Sequence, residues 1–205
     1  MIELIRKRCV AIDSVIMDLN MEYHAIKSKI LREEYKKWKK ELTREEVKEI
    51  RKYRIGTVTP GKRNINAYLR NSTQNDCKKN DKVKILKNAI SRAKINNNIV
   101  TYRTINRIEC DYIKKFSKNE IFENKDFKGT HVSKYIFKNT TTAYVIYLIP
   151  KGYACAYINY WVPIFMHEKE LLLNCGSKCR IVDVKKVFEK DCYVVEKMQC
   201  YDIKG

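Results

Sequence analysis

The feature that most constrains the fold of this 205-residue chain is a change of periodicity near Ile99. Before it, apolar residues recur at three- and four-residue steps: Ile5, Cys9, Ile12, Ile16, Leu19, Tyr23, Ile26 and Ile30. That spacing gathers them on one helix face and predicts helix from Ile2 to Trp38. Thr43 followed by Glu46 has the form of a capping box and opens a second helix through Val47 and Ile50. Gly56, Pro60 and Gly61 mark a loop, after which short helices are expected around 65–69 and 83–93. From Ile99 onward the pattern alternates. Val100-Thr-Tyr-Arg103 reads as a strand, and residues 105–116 as a helix. β-Branched and aromatic runs succeed them at 143–149, 153–158, 168–173, 179–184 and 192–201. Helices first and strands later predict an α+β protein.

Composition narrows what such a chain can do. Apolar residues make up 44% and charged residues 33%, the balance of a folded chain long enough to bury a core. No apolar run approaches the ~20 residues that a membrane-spanning helix needs. The basic start, Met1 to Cys9, has no apolar run behind it, because Asp13, Asp18 and Glu22 interrupt the adjoining stretch. No secretory signal is expected, and the site of action is expected to be a cytosol, of the producing cell or of a host or target cell. Lys and Arg number 43 against 24 Asp and Glu, a net charge of +19. That excess suits acidic proteins, nucleic acid or anionic nucleotides, and equally suits a plain solvated surface. The eight cysteines are expected to be reduced thiols. Cys175 and Cys179 are the closest pair, and Cys192 and Cys200 could complete a zinc site with them, but nothing in the spacing demands one, so no metal is expected. A monomer is expected.

The candidate chemistry starts at Glu168-Lys169-Glu170. On a strand, residues two apart share a face, so both carboxylates would project together while Leu171–Leu173 anchor the strand. Adjacent carboxylates are costly unless a cation or a reaction needs them, although such pairs are also common on surfaces. Arg103 closes the Val-Thr-Tyr-Arg strand, and its planar fork suits phosphate oxygens or a strand-end carboxylate. A long loop with Tyr160, Trp161, Pro163 and Phe165 runs into the carboxylate pair. Its aromatics serve either recognition or core packing.

In this order the pieces resemble the bacterial ADP-ribosyltransferase exotoxin family, which includes Rho-modifying exoenzymes, binary-toxin chains and vegetative insecticidal transferases. The resemblance runs over residues 50–185. It is carried by Ile65-Asn-Ala-Tyr-Leu-Arg70, the helical stretch 84–98, Val100–Arg103, Phe127-Lys-Gly-Thr-His131, Leu148-Ile-Pro-Lys-Gly152, Glu168-x-Glu170-Leu-Leu-Leu and Gly176–Ile181. It implies a helical segment, residues 1–50, and a transferase domain, residues 51–205, with a mixed, mainly antiparallel β-sandwich core. It implies NAD as co-substrate and a protein acceptor, with an arginine favoured because residue 168 is Glu. By the same resemblance Arg103 holds the pyrophosphate, helped by Asn66 and Arg70, with Gly129 and Thr130 beside the cofactor. Glu170 would stabilise the nicotinamide ribose as its bond breaks, Glu168 would activate the acceptor, and Tyr160, Trp161 and Phe165 would read it. One departure stands out. Where the family places a serine that hydrogen-bonds the catalytic Glu, this chain has Gly129, which leaves His131, Ser133 or a water to replace it, unless the alignment slips by a residue. Two rival readings remain: an NAD glycohydrolase on the same fold, and a basic nucleic-acid-binding protein using Lys-rich stretches such as Lys78–Lys87.

Overall fold

The computed structural model describes residues 2–17, 22–58, 64–71, 80–134, 142–158 and 169–198. Its helices are α1 (Ile2–Met17), α2 (Ser28–Glu34), α3 (Lys36–Glu41), α4 (Arg44–Val58), α5 (Ile65–Asn71), α6 (Asp81–Ser91) and α7 (Arg107–Ile113). Its strands are β1 (His24–Ala25), β2 (Ile99–Ile105), β3 (Ile121–Asn124), β4 (Lys128–His131), β5 (Ala143–Ile149), β6 (Cys155–Tyr157), β7 (Glu170–Leu173), β8 (Ser177–Val187) and β9 (Lys190–Lys197). The α+β order read from the sequence is the order observed.

The single long helix expected over residues 2–38 is instead divided. α1 ends at Met17, and His24–Ala25 pair in parallel with Ile99 and Val100 of β2. The reason is tertiary. Ile12 and Val15 of α1 pack on Val100, Tyr102, Tyr144, Ile146, Leu148 and Val194. Leu31, Tyr35 and Trp38 pack instead with Ile99, Val145, Tyr147, Ile149 and Val195. These two sets alternate along β2, β5 and β9, so they lie on opposite faces of the sheet. One continuous helix cannot cover both faces. The buried aromatics of α2 and α3 have partners for their polar atoms: Tyr35 donates to the Cys155 carbonyl (2.6 Å) and Trp38 to the Ala89 carbonyl (2.8 Å).

The capping box is present as expected. The Thr43 amide donates to Glu46 Oε2 (2.9 Å) and the Glu46 amide to Thr43 Oγ1 (3.2 Å). α4 then runs unbroken through residue 50, and Ile50 and Tyr53 share one core cluster with the strands. The strands form one mixed sheet in the order β3-β8-β9-β5-β2-β4-β7-β6, with β1 also on β2. Among the described strands, β1–β2 and β5–β9 run parallel and the other pairs antiparallel. β2 and β5 pair along seven residues, whereas β2 and β4 pair only at Tyr102 and His131. The sheet is therefore nearly divided there, into a larger part ending at β2 and a smaller part of β4, β7 and β6.

Candidate active site

Two of the expected site residues meet at this joint. Arg103, on β2, donates from one terminal nitrogen to the Gly129 carbonyl on β4 (2.7 Å). Glu170, the first residue of β7, lays its carboxylate over the same glycine. A Cβ placed on Gly129 would lie 2.3 Å from Glu170 Oε1 and 3.2 Å from its Cδ. The β4–β7 register sets this up, pairing His131 with Glu170 and Gly129 with Leu172. Glu170 is 14% exposed, and its Oε2 lies 3.6 Å from Nε of Arg54 on α4, which is 1% exposed. Arg54 also donates to the Ile158 carbonyl (2.6 Å), just beyond β6.

A chain of alternating charges extends from Arg103. Its second terminal nitrogen reaches both oxygens of Glu109 on α7 (3.1 Å each). Lys128 bridges Glu109 (2.5 Å) and Asp126 (2.7 Å), and Arg70 pairs with Asp126 (2.5 Å). Burial works against the charge of Glu109, but Arg103 and Lys128 outweigh it and pull its carboxyl down to about 2. Burial also disfavours the Arg103 cation, yet Glu109 more than offsets that and its pKa rises. Arg103 Nε is buried with no hydrogen-bond partner among the described residues. An unmet donor of this kind costs about 1–3 kcal/mol unless something occupies it. The network borders a cavity of about 200 Å³, lined by Arg70, Ile108, Glu109, Tyr112, Asp126 and Lys128 among others.

Other expected residues brace the site. Asn66 is buried and grips the main chain of Phe127 twice, donating to its carbonyl (3.0 Å) and accepting from its amide (3.1 Å). It also donates to the Tyr53 hydroxyl (3.3 Å). Thr130 is fully buried and donates to the Leu171 carbonyl, tying β4 to the carboxylate strand (3.1 Å). Tyr53 packs edge-on against Phe127, and its pKa is raised by burial first and by the nearby Glu170 charge second.

Of the strand expected over 168–173, the described part begins at Glu170, and Lys169 has φ +50°, a left-handed and not an extended conformation. Glu168 lies outside the described residues, as do Tyr160, Trp161 and Phe165. No cluster of three potential metal ligands occurs among the described residues, and no described helix is long and apolar enough to cross a membrane.

The sequence reading missed Arg54, Glu109 and Lys128. A signal existed for the first: Arg54 stands four residues after Ile50, on the apolar face of α4, where a cation is unexpected. Glu109 was masked by an ordinary role, since it sits in the first turn of α7 with its amide capped by Asn106 (3.0 Å).

The fold and this site define an α+β sheet protein in which a shielded carboxylate and a chain of ion pairs meet at the glycine of β4. The chain belongs to the ADP-ribosyltransferase exoenzyme family, whose profile it matches over residues 29–199. It is 35% identical over 136 residues to the NAD(+)–arginine ADP-ribosyltransferase EFV of Enterococcus faecalis, a match covering 61% of this chain and 27% of that protein. The chain thus spans little more than a quarter of that relative. Among solved structures, the ADP-ribosylating toxin BECa of a C. perfringens binary enterotoxin, with NADH, is similar at TM-score 0.67 and 21% identity, over 83% of this chain and 47% of that one. The C3 exoenzyme of Clostridium limosum is similar at TM-score 0.64 and 15% identity, over 88% of this chain and 100% of that one. These two likenesses speak to the fold.

Proposed function

We propose that this chain is a mono-ADP-ribosyltransferase that moves ADP-ribose from NAD to an arginine of a protein acceptor and releases nicotinamide. The observation that carries this reading is the convergence of Arg103 and Glu170 on Gly129, which brings a guanidinium and a shielded carboxylate to one residue of β4. Family membership and the arginine-specific name of the 35%-identical relative support it.

In this reading Arg103 holds the pyrophosphate. Its unmet Nε donor and the cations Lys128 and Arg70 beside the cavity fit that anionic group. Asn66 contributes by fixing Phe127 and the turn into β4. The bond between the ribose anomeric carbon and the nicotinamide nitrogen lengthens, and positive charge builds on the sugar. Glu170, held in a mostly water-excluded cleft, stabilises that charge far better than solvent would. The acceptor guanidine nitrogen then forms the new bond and loses a proton. Glu168 is assigned to take that proton, and Tyr160, Trp161 and Phe165 to read the acceptor. The basic chain favours an acceptor with an acidic surface around its arginine.

The test is incubation of the purified chain with isotope-labelled NAD and a cell lysate. Label is expected on arginine of a protein, and Glu170→Gln is expected to abolish it in a chain that still shows a cooperative melt. Wild-type labelling by the folded Glu170→Gln protein would refute the assignment.

A further inference from the structure

Arg54 and Gly129 form a two-sided holder for Glu170. Gly129 is not among the glycines with positive φ, which are Gly152 and Gly176, so its backbone does not demand glycine. What demands glycine is space. With a Cβ only 2.3 Å from Glu170 Oε1, no side chain at position 129 coexists with the carboxylate where it lies. The other oxygen, Oε2, faces the buried Arg54 guanidinium at 3.6 Å. A buried guanidinium is tolerated only where it is paired and hydrogen-bonded. Arg54 has such partners on both counts, because it also donates to the Ile158 carbonyl (2.6 Å). The Ile158 amide in turn donates to the Glu170 carbonyl (3.2 Å). Arg54 therefore grips the Glu170 side chain directly and its main chain through one further residue.

We propose that Arg54 is a positioning residue for Glu170, and that it works as a pair with the bare backbone of Gly129. The glycine sets how deep the carboxylate sits. The guanidinium sets which way it turns and keeps a positive charge beside it. Arg54 acts on the reaction only through Glu170, so the inference rests on the reading of Glu170 as the catalytic carboxylate. Misplacing a reacting group by an ångström is enough to slow a reaction severely while leaving substrate binding intact. The signature of a positioning role is thus a fall in kcat with little change in KM.

The experiment follows nicotinamide release from NAD by the full chain, with kcat, KM and a thermal melt for each variant. Arg54→Gln keeps a donor for the Ile158 carbonyl but removes the charge. It is expected to fold, to hold KM within about twofold and to lose at least about tenfold in kcat. Arg54→Lys restores the charge and is expected to regain most of that loss. Gly129→Ala is expected to melt near the wild-type temperature and to lose kcat similarly, because its methyl group displaces the carboxylate. Wild-type kcat in Arg54→Gln overturns the proposal, as does a folded Arg54→Lys no better than Arg54→Gln. If Arg54→Gln does not fold, Gly129→Ala decides: a roughly tenfold fall in kcat at unchanged KM supports the holder, and wild-type kcat overturns it. Glu170→Gln separates this from failure of the underlying reading. An active Glu170→Gln removes that reading itself. An inactive Glu170→Gln beside fully active Arg54→Gln and Gly129→Ala leaves it standing and removes only the holder.

Discussion

From the larger side of the β2–β4 joint, Arg103 faces Glu109 through two contacts of equal length, and the pairing crosses to Lys128 on β4 and continues through Asp126 to Arg70. Over Gly129, Arg54 faces Glu170 at a longer 3.6 Å. The first region strings three cations against two carboxylates, so it carries one positive charge in excess and leaves a guanidinium donor unmet. The second sets a buried guanidinium beside a carboxylate that lies against the backbone of Gly129. An unbalanced, partly satisfied network is suited to accept an anion. A confined carboxylate beside a buried cation is suited to being held still. Binding is thus proposed for the first region and chemistry for the second.

Substitutions that strike one side at a time sharpen this division. The largest effect belongs to Glu170→Gln, which keeps shape but removes charge. A kcat loss of about a hundredfold or more is expected in a chain that still folds, with a lowered melt because Arg54 loses its counter-charge, read as nicotinamide release. Arg103→Lys cannot make both Glu109 contacts and reach the Gly129 carbonyl. It is expected to raise KM for NAD by about tenfold or more, with a smaller change in kcat. A loss in kcat alone would place Arg103 on the chemical side and break the comparison.

Glu109→Gln tests the binding side through stability. The Glu109 carboxyl titrates near about 2 in the folded chain, below its ordinary 4.5. A depressed carboxyl stabilises the fold above its unfolded pKa, and that stabilisation is lost as pH falls from about 4.5 toward 2. The contribution is on the order of 2–3 kcal/mol. Wild type is therefore expected to melt well above Glu109→Gln at neutral pH, with the gap closing through that acidic window. A gap independent of pH would show that Glu109 contributes no charge to the fold. The smallest effect belongs to Arg70, whose side chain is 44% exposed. Arg70→Ala is expected to raise KM about two- to threefold and to leave the fold within about 0.5 kcal/mol of wild-type stability.

Much of the frame was legible because it is written in local terms. The Thr43–Glu46 box, the helix at 65–71 and the strand carrying Arg103 each follow from a few neighbouring residues. Of the two readings open for Arg103, the carboxylate pairing is the one observed, in Glu109, and its Nε donor stays buried beside it. What the sequence hid depends on distant contacts. Nothing local says that α1 and α2 cover opposite faces of the sheet. The β8–β9 turn at Phe188 and Glu189 uses two left-handed residues without the Asn-Gly signal that usually marks such a turn. Lys169 adopts a left-handed conformation that its neighbours in sequence do not announce. The gap at Gly129 is legible in the sequence, but neighbouring residues offer only His131, Ser133 or water to fill it. The cation facing Glu170 Oε2 comes instead from a helix that the chain completes well before it reaches the glycine.

The placement of α1 bears on how this protein is handled as a material. The family match begins at residue 29, so α1 lies wholly outside it, yet Ile12 is fully buried and Val15 nearly so against the sheet. A chain shortened to the matched span would present Val100, Tyr102, Tyr144, Ile146, Leu148 and Val194 as one open apolar face. A surface of that kind drives self-association. The unpaired edge left beside β2 on losing β1 would add to it. α1 therefore shields this face, and trimming to the recognisable domain is expected to raise the chain's tendency to self-associate.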